Sequence, residues 1–225
     1  MARRLRFHPL TPDRLPDLEA LFGPRGACAG CWCMFWKQTR AEYQAGKGAP
    51  NRDAMRRQVR AGVVPGILAY DEEGPVGWCA VEPRSAFTRL TRSRTLAPVD
   101  DAPAWSVPCF FVARRARGTG LTGALLAAAA DHARRSGARI LEGYPVEPRG
   151  PTADAWLYTG VAATFRKAGF AEVARRSPTR PLMRLALRPA KVSRAARAPA
   201  ARGRARGRST ARSSPTSRSP SRRGR

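Results

Sequence analysis

The chain has 225 residues, enough for one domain with an appendage, and carries a formal net charge of +26, with 42 basic against 16 acidic residues. Its longest apolar run, near Leu121 to Ala130, is far short of a membrane span, and the start, MARRLRFHPLTPDR, lacks the apolar core of a secretory signal. Five cysteines, an odd number, argue for free thiols over a disulfide framework, so the expectation is a soluble cytoplasmic protein.

Leu5 to Phe7 reads as a first strand, and Thr11-Pro12 as the cap and first residue of a helix whose apolar face is Leu15, Leu18, Leu21 and Phe22. Gly23 to Lys37 breaks that pattern and carries Cys28, Cys31, Cys33, Trp32, Phe35 and Trp36. A second helix is expected from a cap at Asn51 through Met55 and Val59, stopped by Gly62. Pro65 to Tyr70 and Val76 to Val81 read as strands joined by the turn Asp71-Glu72-Glu73-Gly74-Pro75. Glu82 to Ala104 reads as a long polar connection. The central strand is Trp105 to Val112, and a long helix after it ends at Gly137 with Arg134 and Arg135 complementing its dipole. Ile140 to Tyr144 is the next strand, Thr159 to Ala168 a short helix, and Phe170 to Arg175 with Leu182 to Leu187 a closing hairpin. Beyond Pro189 twelve basic residues and no acid occur in a stretch with Val192 as its one large apolar side chain, so 190–225 is expected to be a disordered basic tail behind a 1–189 domain.

The stretch WSVPCFFVARRARGTGLTGALLAAAA organises the rest. A buried strand runs through Arg117-Gly118-Thr119-Gly120-Leu121-Thr122-Gly123 into an amphipathic helix, with Leu121, Leu125, Ala128, Ala129 and His132 at helical spacing. Glycines let backbone N–H groups converge on one point ahead of the positive end of a helix dipole, which suits an anion, a pyrophosphate above all. It is no Walker loop, because no Gly-Lys-Ser/Thr ends it, and no dinucleotide fingerprint, because Gly-x-Gly-x-x-Gly is absent.

This pattern resembles the coenzyme A site of the GNAT superfamily of N-acetyltransferases: a strand ending in valine, then Arg/Gln-x-x-Gly-x-Gly/Ala, then a helix. Val112 ends the strand, Arg117 opens the motif, Gly120 is its first glycine, and Thr122 stands at the second glycine position with Gly123 one residue later. A rival register, Arg115-x-x-Gly118-x-Gly120, satisfies the letters with a shorter distance from Val112. Phe165-Arg166-Lys167-Ala168-Gly169-Phe170 resembles the Tyr-Glu-Lys-x-Gly-Phe ending of that superfamily's last helix. The resemblance implies an α/β fold with a mixed, mostly antiparallel sheet flanked by helices and a parallel pair at its centre. It implies acetyl-CoA as cosubstrate, held by Arg117 to Gly123, with backbone groups of Phe111 and Val112 on the pantetheine and thioester carbonyl. Direct transfer to a primary amine of a small molecule or peptide follows. A GNAT-like protein that binds acyl-CoA without turnover, or one led by a nucleic-acid-binding tail, remain alternatives.

An amine of pKa ~10.4 is almost wholly protonated at neutral pH, so transfer calls for a base. Glu82 and Glu142 rank first, ahead of Asp100 and Asp101. The departing thiolate needs a proton donor; Phe165, where the superfamily often has tyrosine, cannot serve, which leaves Tyr158 and Tyr144. Cys28-x-x-Cys31-x-Cys33 has no second ligand pair after it, so no zinc is expected, and with its interleaved aromatics the segment reads as packing or as a wall of the acceptor pocket. The tail could hold a polyanion without sequence choice.

Overall fold

A computed structural model describes residues 4–188. The expected tail, 190–225, lies outside the described residues. In chain order the elements are β1 (Arg6–Pro9), α1 (Leu15–Phe22), α2 (Arg40–Ala45), α3 (Ala49–Arg60), β2 (Gly66–Asp71), β3 (Gly74–Pro83), α4 (Thr88–Thr91), β4 (Trp105–Val112), α5 (Leu121–Arg135), β5 (Ile140–Gly143), α6 (Ala162–Lys167), β6 (Ala171–Arg175) and β7 (Pro181–Ala186). The strands form one sheet in the order β1-β2-β3-β4-β5-β7-β6, antiparallel throughout except between β4 and β5.

Strand alternation sends successive side chains to opposite faces, and each face meets helices with a matching apolar stripe. On one face Leu121, Leu125, Leu126, Ala129 and Ala133 of α5 pack on Cys79, Val81, Val107 and Leu141. On the other, Leu15, Leu18 and Phe22 of α1 with Met55 and Val59 of α3 cover Leu68, Trp78 and Ala80. Phe165 is fully buried in the first of these cores, against Phe110 and Phe170, and its ring fills the space where a Cβ on Gly143 would lie. A residue other than glycine at 143 would therefore force β5 and α6 apart.

Two expectations are corrected. Asn51 is not a cap: the helix starts at Ala49, with Pro50 in its first turn where a missing N–H does no harm, and Asn51 is buried inside it, donating to the Gly30 carbonyl at 3.4 Å. The connection 82–104 is not merely polar; it contains α4 and buries Arg84, Phe87, Leu90 and Leu96. Helix α2 was not anticipated, although Thr39 and Glu42 form a reciprocal capping box at its start. Among the described residues no helix is long and apolar enough to cross a membrane.

Candidate functional site

β4 and β5 pair at three positions, Trp105 with Leu141, Ser106 with Glu142 and Val107 with Gly143, and then separate. The cause lies in β4. On its other edge Ala80 faces Cys109 but Glu82 faces Ser106, so β4 carries one extra residue at a bulge that includes Pro108, a residue with no amide to give to a ladder. Past the bulge the strand leaves an open edge toward β5.

The alternation of backbone groups settles which amides line that opening. The Phe110 N–H points into it and donates to the Tyr158 carbonyl at 2.6 Å, while Ala113 donates the other way, to Val76 of β3, at 2.9 Å. Phe110 and Val112 thus present their backbone to the opening. Phe111, opposite Trp78, turns its backbone toward β3 and packs its ring on Phe22, so the expected backbone pair Phe111 and Val112 is corrected to Phe110 and Val112.

Below the opening, a short turn at Arg114–Ala116 leads to Gly118 and Gly120, whose φ angles of 75° and 82° lie in the left-handed region. A Cβ on either glycine would meet nothing within 4 Å, so the concave side of the turn is open. The amides of Gly118, Thr119, Gly120, Leu121 and Thr122 donate to no backbone carbonyl among the described residues. They sit at the N-terminus of α5, a 15-residue helix with no side-chain cap. The Thr119 hydroxyl ties the turn together by donating to the Ala116 carbonyl at 2.8 Å. Leu121 is buried and anchors the helix, and the Gly123 amide is taken up by the Gly120 carbonyl at 3.0 Å. Arg117 is committed sideways, its Nη1 on Asp154 at 2.9 Å and its Nε on the Val112 carbonyl at 3.3 Å. The five free amides around two left-handed glycines fit a pyrophosphate.

The four candidate catalytic side chains divide into two groups. Glu142 is fully buried in β5, with Oε2 accepting from Arg84 at 2.7 Å and from the Tyr144 hydroxyl at 2.6 Å, and Oε1 accepting from Arg184 Nε at 2.9 Å. Tyr144 is equally buried and also meets Ser106 and Arg84. Arg84 further donates to the Leu90 and Leu96 carbonyls, which fixes the connection before β4. This network engages both carboxylate oxygens and the phenol.

Tyr158 stands at the opening and Glu82 beside the bulge. Glu82 ends β3 beside the bulge; burial pushes its carboxyl above the ordinary glutamate range, against the opposing pull of the Lys37 ammonium. Its Oε1 touches Lys37 as an ion-pair contact without hydrogen-bond geometry, and Lys37 donates to Gln58 at 2.5 Å. Tyr158, whose carbonyl holds Phe110, has its phenol pKa raised by burial, so its hydroxyl keeps its proton at neutral pH. Its ring lies 5.9 Å from Phe35 and 6.4 Å from Trp36, which puts the aromatic segment after Cys33 against the opening.

That segment is strained. Ala27, Ala29, Trp32 and Cys33 all have positive φ, a conformation that non-glycine residues adopt only when their surroundings impose it. The result places the Cys33 thiol in contact with both Cys31 and Cys109 of β4. Cys31 is lowered to about 6, chiefly because Cys33 donates to it, whereas burial pushes Cys33 up. Among the described residues no group of three or more histidines, cysteines and acids is arranged to hold a metal ion. Lys37 and Arg84 carried no sequence signal for these roles, because each meets its carboxylate, Glu82 or Glu142, only in the folded chain.

The family model described as acetyltransferase (GNAT) family matches residues 30–152. No curated protein matches the chain significantly. Solved structures similar to it include an acetyltransferase of the GNAT family from Listeria monocytogenes, 11% identical over 81% of this chain and 95% of that one, with a TM-score of 0.49. Another is the PaiA N-acetyltransferase of Thermoplasma acidophilum in complex with coenzyme A, 8% identical over 81% and 99% of the two chains, with a TM-score of 0.47. An N-acetyltransferase from Staphylococcus aureus is 14% identical over 82% and 99%, also at 0.47.

Proposed function

The chain belongs to the GNAT family of acetyltransferases, and from that premise we propose that it transfers an acetyl group from acetyl-CoA directly to a primary amine. The observation that carries this reading is the run of unpaired amides from Gly118 to Thr122, which ends below the opening that the β4 bulge creates. Acetyl-CoA supplies the acetyl group as an activated thioester. Gly118 to Thr122 bind its pyrophosphate through backbone N–H groups, and Phe110 and Val112 offer the backbone donors that line the opening. The Phe110 amide is held by Tyr158 in the structure, so its use requires the segment around Tyr158 to yield.

Glu82 takes the proton of the incoming ammonium. Its raised pKa makes it a better base than a solvated carboxylate, and Lys37 keeps part of its population ionised. Tyr158, still protonated, gives a proton to the leaving thiolate. Glu142 and Tyr144 hold the opening in shape by fixing Arg84.

The test is binding first and turnover second. A valine at Gly120 would oppose the left-handed φ and project a branched side chain into open ligand space, displacing several charge-assisted bonds of ~1.5–3 kcal/mol each, so Gly120→Val should weaken acetyl-CoA binding at least a hundredfold, an order-of-magnitude estimate. Arg117→Ala should do less, because Arg117 already serves Asp154 and Val112. A folded Gly120→Val protein with unchanged affinity by calorimetry would take the coenzyme site away from this turn. Thiol release with a panel of primary amines then separates an enzyme from a protein that only binds acyl-CoA.

A further inference from the structure

Most part-buried arginines of the fold have a carboxylate. Arg184 takes Glu142, Arg56 takes Glu19, Arg14 takes Asp13 and Arg134 takes Asp131. Arg89 and Arg180, both part-buried, have no acidic partner within ion-pair distance among the described residues.

Both lie beside Tyr158. Arg89 begins from α4, whose Arg89 amide donates to the Trp36 carbonyl at 3.0 Å, and its guanidinium lies 4.0 Å over the Phe35 ring and 5.1 Å from the centre of Tyr43. Its Nε is used by the Gln38 carbonyl at 3.1 Å, but its Nη2 is buried with no hydrogen-bond partner. Arg180 donates to the hydroxyl of Thr159, the neighbour of Tyr158, at 3.1 Å, and the Phe35 ring under Arg89 packs on Tyr158 at 5.9 Å, so both guanidinium groups act on the Tyr158 phenol. The indole N–H of Trp36, in the same aromatic group, is also buried and unpartnered. Unsatisfied buried donors are expensive, and two of them, Arg89 Nη2 and Trp36 Nε1, beside a second guanidinium without a carboxylate, suit an anion. The site lies one aromatic ring from Tyr158, whose carbonyl closes the β4 opening, and on the same sheet face as Glu82.

We propose that Arg89 and Arg180 bind the carboxylate of the acceptor, so that the acceptor is a small amino acid-like molecule bearing a primary amine and a carboxylate, its apolar part lying against Phe35, Tyr43 and Tyr158. This rests on the acetyltransferase reading for the fate of the amine, but the carboxylate subsite stands on its own geometry. A planar guanidinium fork stacked on an aromatic ring suits a carboxylate, which it can engage through two parallel N–H donors.

The experiment uses the full chain and three forms of each of several amines: the free amino acid, its carboxamide and its decarboxylated counterpart, for example phenylalanine, phenylalaninamide and phenethylamine, with lysine and β-alanine series beside them. Calorimetry measures binding of each to the protein, and thiol release measures turnover with acetyl-CoA. The expected result is binding of at least one free amino acid about 10- to 100-fold tighter than its carboxamide and amine, an order-of-magnitude preference lost in Arg89→Gln and Arg180→Gln. In turnover the same variants raise KM for the carboxylated acceptor far more than they lower kcat, with the acetyl-CoA dissociation constant unchanged. Equal binding of all three forms, or no binding of any free amino acid, overturns the proposal. A loss of acetyl-CoA affinity in both arginine variants also overturns it, by giving the subsite to the cosubstrate. Failure of the wild-type chain to bind acetyl-CoA would instead remove the proposed function while leaving the calorimetric comparison of the three forms to decide on the carboxylate. If Arg89→Gln melts early, Arg180→Gln, which lacks the ring stacking, carries the test.

Discussion

At the scale of single residues the site is a set of protons placed by burial. Glu82 is the clearest case, because desolvation raises its pKa and Lys37 only partly offsets this. A base acts in its unprotonated form, so kcat/KM should rise with pH through the folded-state pKa of Glu82, and this acid limb should lie above the ordinary glutamate value of about 4.3. The linkage has the opposite sign for stability: the folded state holds this proton more tightly than the unfolded chain, so the contribution is present below the unfolded value and fades as pH rises through the folded one. Glu82→Gln should lower kcat/KM by roughly 10²–10⁴-fold and erase that limb from the pH profile. A variant that keeps the wild-type limb would move the base to another group. Cys31, by contrast, is an acid brought down to about 6 by a neighbouring thiol, so near neutral pH it is the thiolate of the cluster while Cys33 stays protonated.

At the scale of elements, the opening depends on one strand and on what fixes its neighbours. Glu142 sits between Arg84 and Arg184 with no exposure, and that pair of ion contacts ties β5 to β7 and to the connection ahead of β4. Removing one partner of a buried ion pair leaves uncompensated charge, here two guanidinium groups, and Glu142→Ala should lower stability by about 3–5 kcal/mol. Urea titration measures this; a variant of unchanged stability with lost turnover would restore Glu142 as the base. The strand, turn and helix from Trp105 to Arg135 were legible because each carries a local signal: a short continuous apolar run, two glycines, then a 3.6-residue stripe. The parallel pairing with Ile140 to Gly143 followed from the family resemblance. The bulge was not legible, since nothing in Val107-Pro108-Cys109 says how β3 will register against it, and the backbone of Phe111 was placed on the wrong side for that reason. Arg84 was hidden in another way, its carboxylate being 58 residues distant in sequence. The capping box of Thr39 and Glu42 is a local signal present in the letters themselves, and it fixes the start of α2.

At the scale of the whole molecule, charge and core separate along the chain. The apolar clusters on both sheet faces are drawn from residues up to Leu187, which is 8% exposed and donates its amide to the Arg139 carbonyl at 2.8 Å, closing the last strand onto the sheet. The twelve basic residues from Lys191 to Arg225 account for more than a quarter of the 42 positive charges, with no acid among them to offset them. A chain ending at Pro189 should therefore melt within a few degrees of the full one, with the same cooperativity, and bind acetyl-CoA equally well. Each phosphate contact given up reduces the salt dependence of polyanion binding by about one charge, so the shortened chain should leave a heparin column at distinctly lower salt. Scanning calorimetry and the elution profile read the two halves of this expectation separately. A broad, early melt would show that the fold borrows stability from beyond Leu187, and equal elution would place the polyanion surface on the arginines of the domain itself.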